Sequence, residues 1–125
     1  MQVSTNLSSQ LQDYLNLSSA ELKITAENMA NIDTPGYKTQ GFDFKGAVQN
    51  ILTRSDREFG RSQFETTAPH TDDVDHLIAR PDGNNVSMDR EGLKMAEAQL
   101  KFRAGVELLK REYGRVLDAI HADAK

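Results

Sequence analysis

Two imidazoles and three carboxylates crowd into the string HTDDVDH, with His70, Asp72, Asp73, Asp75 and His76 as its possible ligands. Structural zinc sites want histidines or cysteines at short fixed spacings, closed by a second such pair. Calcium loops want alternating acids with an internal glycine and a distal glutamate. The string supplies neither pattern, so it reads as a solvated polar loop. A small metal-dependent enzyme holding its ion on His70 and His76 is the competing reading, and elemental analysis discriminates the two. The stretch DGNN at 82–85 resembles the centre of a calcium loop but lacks the alternating acids, and reads as a turn.

Other chemistries lack their residues. The chain has no cysteine, which excludes disulfides, thiolate metal sites and thiol nucleophiles. Its serines and three histidines include no glycine-flanked nucleophile elbow. No phosphate loop or dinucleotide fingerprint is present. Neither catalytic nor cofactor-binding residues are therefore assigned. Lys110, Arg111 and Arg115 stand among Glu107, Glu112 and Asp118, which gives a charged face of i,i+3 and i,i+4 neighbours, or contacts between subunits.

A composition of 38% hydrophobic and 6% aromatic residues, with no tryptophan, is lean for an enzyme of 125 residues. A net charge of -4 does not suit a nucleic-acid binder. No stretch approaches the roughly 18 apolar residues of a membrane span. The first basic residue is Lys23, so the start of the chain lacks the features of a cleavable secretory signal. The expectation is a protein that stays inside, or leaves by a route that reads no such signal.

The elements that must carry any function are helices. Residues 3–32 form one amphipathic pattern, with Leu7, Leu11 and Leu15 four apart and Leu15, Leu22 and Met29 seven apart. Ser18, Ser19, Thr25 and Ala26 lie between them and would let a neighbouring helix come close. Residues 87–121 carry the stronger pattern. Met88, Met95, Phe102, Leu109 and Val116 recur every seventh position, as do Val106, Tyr113 and Ile120. Leu93, Ala96 and Leu100 make a second stripe in the first half. Ser87 is the expected N-cap, with Asp89 and Glu91 in the first turn. Gly92, Gly105 and Gly114 each cost about 1 kcal/mol against alanine, so neighbours must hold this helix.

Between these helices, residues 35–86 are rich in glycine, proline, threonine and aspartate. One short helix is expected from about 44 to 53, with Phe42, Phe44, Val48, Ile51 and Leu52 as its apolar cluster. HLIA at 76–79 reads as a short strand, and RPDGNN as a turn. The fold class is mainly α, with long N- and C-terminal helices (1–34 and 87–125) packed antiparallel in a coiled-coil arrangement around an irregular middle. Isolated amphipathic helices are marginal in water, and the middle holds too few apolar residues to cover both.

Thr34-Pro35-Gly36-Tyr37 has the chemistry of a type II turn. Proline presets the second position, glycine supplies the positive φ of the third, and the first helix must stop by Asp33. The whole string ENMANIDTPGYK resembles the signature of the bacterial flagellar rod and hook axial proteins, matched here by Ala30, Asn31, Thr34, Pro35, Gly36, Tyr37 and Lys38. Residues 83–109 resemble the C-terminal region of the short proximal-rod members, with Asn84, Asn85, Val86, Asp89 and Glu91 opening the last helix. The middle agrees loosely, around Thr67 and His70.

The resemblance implies a non-enzymatic structural subunit of the proximal rod that passes torque from the membrane ring to the hook and filament. It implies as partners copies of the chain, other rod proteins, the ring-to-rod adaptor and the membrane ring protein. It also implies export through the flagellar type III apparatus to a periplasmic rod, no direct membrane insertion, and terminal helices that become ordered on assembly. The expected assembly interface is Leu11, Leu15, Leu22 and Met29 with Phe102, Val106, Leu109, Tyr113, Val116 and Ile120. A soluble cytoplasmic helical adaptor with one partner would use the same helices.

Overall fold

The computed structural model describes residues 5–55 and 69–124. Five elements follow in order: α1 (Asn6–Ala30), β1 (Gln40–Gly41), α2 (Phe44–Ser55), β2 (Asp72–Asp73) and α3 (Met88–Asp123). The architecture is mainly α, with α1 and α3 side by side and running in opposite directions. Successive contacts fix that direction: Asn28 meets Glu91, Glu21 meets Lys101, and Thr5 meets Glu112. Thr67 lies outside the described residues.

Local chemistry sets the helix ends. α1 begins at Asn6 rather than Val3, because the Thr5 hydroxyl accepts from the Ser8 amide while the Ser8 hydroxyl accepts from the Thr5 amide. This reciprocal cap satisfies two amides that a helix start leaves loose. The helix ends at Ala30, two residues short of the expected limit. Asn31 follows as C-cap and donates its side-chain amide to the Glu27 carbonyl at 2.8 Å. Ser87 caps α3 with Asp89 and Glu91 in the first turn, and the helix runs to Asp123. Asp43 caps α2 by accepting from the Gly46 amide at 3.0 Å.

The strand expected at HLIA does not form. The pairing is made earlier, where Gln40 and Gly41 oppose Asp73 and Asp72 in an antiparallel two-residue ladder. Residues 75–76 then turn sharply, with His76 at φ 63°, so the backbone is bent away before Leu77 and Ile78. Side-chain pattern could not reveal this ladder, since β2 is two exposed aspartates.

α2 packs on α1 through aromatic contacts, and a lysine of α3 reaches over to it. The Phe44 ring meets Tyr14 of α1 edge-on, with centroids 5.7 Å apart, and Phe42 stands 6.2 Å away. The Lys101 ammonium sits 4.0 Å above the Phe44 ring while pairing with Glu21 at 3.0 Å. A partly desolvated cation over an aromatic face contributes about 0.5–2 kcal/mol.

The α1–α3 seam differs from the expected apolar one. Its enclosed residues on α3 are Glu91, Ala98, Gly105 and Glu112, spaced by seven, and on α1 they are Ser8, Ser18, Thr25 and Asn28. Small and polar side chains occupy the line of closest approach, and the leucines flank it. Gly105 shows why. A Cβ there would fall 2.8 Å from a Leu15 methyl and 3.0 Å from the Tyr14 ring. Among the described residues Gly92 and Gly114 meet nothing within 4 Å, so of the three glycines Gly105 alone has a packing reason there.

Candidate functional site

Two features stand out, a polar clasp that ties the helix ends together and a set of apolar faces left exposed among the described residues. The clasp starts at the turn. Pro35 and Gly36 place Gly36 at φ 73°, and the Tyr37 amide closes the turn on the Thr34 carbonyl at 3.2 Å. Gly83, at φ 85°, backs onto Gly36, with 3.4 Å between its Cβ position and the Gly36 Cα. Two left-handed glycines therefore meet, and it is their positive φ rather than lack of room that disfavours a side chain at either. The Gly36 amide donates to the Asp82 carbonyl at 2.9 Å, and Lys38 reaches the Gly83 carbonyl at 2.8 Å. Arg80 donates to the Ile32 carbonyl.

Buried asparagines complete it. The Asn84 amide nitrogen lies 2.9, 3.0 and 2.8 Å from the carbonyls of Asn31, Ile32 and Thr34. Its oxygen accepts from the Val86 amide at 2.8 Å. The two protons of one side-chain amide are thus shared among three carbonyls just beyond α1, each of which also accepts elsewhere, and this ties the turn to the segment that leads into α3. Asn85 accepts from both the amide and the hydroxyl of Thr39, at 2.7 and 2.9 Å. Asn28 donates to the Gln40 carbonyl and to Glu91, and accepts from the Gln40 amide and the Tyr37 hydroxyl. That fills all four of its hydrogen-bonding positions.

Glu91 is fully enclosed, at 0% exposure. One carboxylate oxygen accepts from Asn28 at 2.9 Å. The other lies 3.6 Å from the Arg90 guanidinium and 3.8 Å from the Lys94 ammonium, too far for a hydrogen bond but near enough to balance its charge. Its sequence role as a helix-start acid understates this; the signal missed was an acid seven residues before an alanine and fourteen before a glycine on one face. Partial burial, followed by the negative charges of Glu27 and Glu91, pushes the Tyr37 phenol above its ordinary value.

The residues of the turn signature therefore share one location. Asn31, Thr34, Gly36, Tyr37 and Lys38 all bond to the end of α1 or to the 82–85 segment. The supposed chemistry of the 70–76 string does not assemble. His70 pairs with Asp72 at 3.0 Å, both exposed, and among the described residues no group of three or more acids and histidines is placed to hold a metal ion. Lys110 and Arg115 pair within α3 to Glu107 and Glu112, at 3.2 and 3.4 Å.

The expected interface residues divide. Leu11, Leu15, Leu22 and Met29 on α1, and Val106, Leu109 and Val116 on α3, are half-buried beside the seam. Phe102, Tyr113 and Ile120 are exposed. Leu93 and Leu100, on the opposite side of α3, are 63% and 70% exposed. Among the described residues no helix is long and apolar enough to cross a membrane.

A family model for flagella basal body rod proteins matches residues 15–38, the second half of α1 and its turn. The flagellar basal body rod protein FlgB of Salmonella typhimurium is 34% identical over 111 residues, covering 78% of this chain and 80% of that one. The chain belongs to the FlgB family of flagellar basal body rod proteins. FlgB of Bacillus subtilis is 32% identical over 115 residues, covering 82% and 84% of the two chains, and FlgB of Escherichia coli is 25% identical over 129 residues, covering 89% and 90%. The match to the basal body rod family model ends at Lys38, the last residue of the clasp's turn.

Proposed function

We propose that this chain is a structural subunit of the flagellar basal body rod, in its proximal part, and that it assembles helically through the uncovered faces of α3 and the flanks of α1. The carrying observation is the mismatch between helix length and core. Among the described residues, the enclosed hydrophobic side chains are Val86 and Ala98, while Leu93, Leu100, Leu108, Leu117 and Ile120 are at least half exposed. Apolar area of that kind gains roughly 25 cal/mol per Å² when covered, so lateral packing between subunits would supply what the isolated chain lacks. Contacts repeated head to tail without ring closure generate an open helical shaft, the geometry needed to carry torque.

The partners of this reading are further copies, other rod proteins, the ring-to-rod adaptor and the membrane ring protein. Delivery runs through the flagellar type III apparatus to the periplasmic rod. No catalytic step is assigned. The clasp ties the end of α1 to the start of α3.

Leu100→Asp tests this more cleanly than Leu109→Asp, because Leu100 touches solvent while Leu109 flanks the seam. The expected result is a folded, soluble chain that fails to enter isolated basal bodies and leaves cells non-motile. Normal incorporation of Leu100→Asp together with Leu93→Asp would refute the use of that face.

A further inference from the structure

Each enclosed position of α3 makes a different demand on the residue opposite. Glu91 accepts from Asn28 at 2.9 Å, and Glu112 accepts from the Thr5 hydroxyl at 2.8 Å. Gly105 leaves room for Leu15 and Tyr14, and Ala98 is the one apolar residue of the four. Such a seam is a poor way to maximise stability. Buried carboxylates lose their hydration, and apolar replacements of similar volume are commonly neutral or stabilising. It is an effective way to forbid sliding.

A helix with a heptad face can move by seven residues, about 10 Å, and still turn the same side inward. The clasp opposes that slide at one end in every variant, and a uniform apolar seam would add nothing against it. Here, one direction brings Glu112 to the place of Gly105, setting a carboxylate against Leu15 and Tyr14 without a donor. The other direction brings Ala98 there, and its Cβ falls where only 2.8 Å separates it from the Leu15 methyl. In both cases Asn28 loses its acid.

We propose that Glu91, Gly105 and Glu112 form a register code, fixing one antiparallel alignment of α1 and α3 at the expense of stability. The inference concerns the isolated chain and does not depend on how it assembles.

The chain has no cysteine, so engineered pairs are its only thiols. Gln12 donates to the Tyr113 hydroxyl at 2.9 Å, and Gln12→Cys with Tyr113→Cys therefore reports the native alignment. Gln12→Cys with Val106→Cys, or with Ile120→Cys, reports the two slid alignments. The full chain is treated at low concentration with a short bismaleimide, and intramolecular cross-links are mapped by mass spectrometry. In the otherwise unaltered sequence only the native pair should react. With Glu91→Leu and Glu112→Gly added, a slid α3 again sets a glycine against Leu15 and Tyr14, and helicity should be maintained. The Gln12→Cys and Ile120→Cys pair should then react about tenfold more, the change that ~1.4 kcal/mol of register preference produces. Glu91→Gln, which keeps an acceptor for Asn28, should retain the native alignment. An Ile120 pair that stays silent in that background would overturn the proposal, as would slid pairs that react in the unaltered sequence. Loss of helicity on Glu91→Leu alone would also overturn it, because the carboxylate would then be supporting the seam rather than selecting its alignment.

Discussion

Replacing the three glycines of α3 by alanine, one at a time, separates intrinsic helix preference from close packing. Each substitution gains about 1 kcal/mol in helix propensity. Gly92 and Gly114 have nothing within 4 Å of the new methyl, so that gain should appear in full as stabilisation. At Gly105 the methyl arrives 2.8 Å from Leu15 and 3.0 and 3.2 Å from two carbons of the Tyr14 ring. The leucine methyl can swing aside, but the ring is held edge-on against Phe44 and has less freedom. Overpacking of this kind costs about 1–3 kcal/mol, which offsets the propensity gain and leaves Gly105→Ala neutral to about 2 kcal/mol destabilised. Gly105→Val, with more bulk and little propensity gain, should lose about 2–3 kcal/mol. Urea unfolding of the full chain followed by circular dichroism gives all four values on one scale. Equal stabilisation by the three alanines would refute the close approach of α1 and α3 at Gly105, and the seam geometry with it.

Two further measurements probe the clasp. Asn84→Ala should destabilise by about 1–3 kcal/mol in urea unfolding, since it leaves the buried Val86 amide without its partner. Asn84→Asp should be worse, because it sets a carboxylate against three carbonyl oxygens. The raised pKa of Tyr37 means the folded chain holds that proton more tightly than the unfolded chain does. Its contribution is therefore constant below the ordinary phenol value of about 10 and is lost as pH rises through that value and the higher folded one. Stability measured by urea unfolding should fall faster above that pH in the parent than in Tyr37→Phe, and equal slopes would contradict the assignment.

The sequence made the architecture readable because two periodicities were long enough to leave a clear signal. Heptad spacing from Met88 to Val116 and the leucines of α1 located both helices, and Ser87 and Pro35 marked their limits. Periodicity finds the apolar flanks, however, while the line of closest approach is chosen by smallness and hydrogen bonding. Ser18, Thr25, Asn28, Glu91 and Gly105 therefore carried no hydrophobic signal, although Ser18 and Thr25 were legible as small. Asn84 and Asn85 were visible as matches to a family pattern, but their purpose depends on carbonyls some 50 residues earlier in the chain. The Thr5 cap was available in the sequence, yet the apolar pattern extended the helix past it. β1 and β2 were beyond reach, since two-residue strands have no alternation to detect.

The small ladder between Gln40–Gly41 and Asp72–Asp73 has a consequence for how such chains diversify. The backbone leaves the helix pair at one point and comes back beside it, pinned again by the Val74 amide on the Thr39 carbonyl at 2.9 Å. A segment spliced in between α2 and β2 would hang from this neck and leave the contacts that hold α2 on α1 in place. Doubling the length of such a loop costs only about 0.6 kcal/mol of closure entropy. The neck is thus a ready graft point, at which an outer domain of any size could be added while the inner helices keep their alignment.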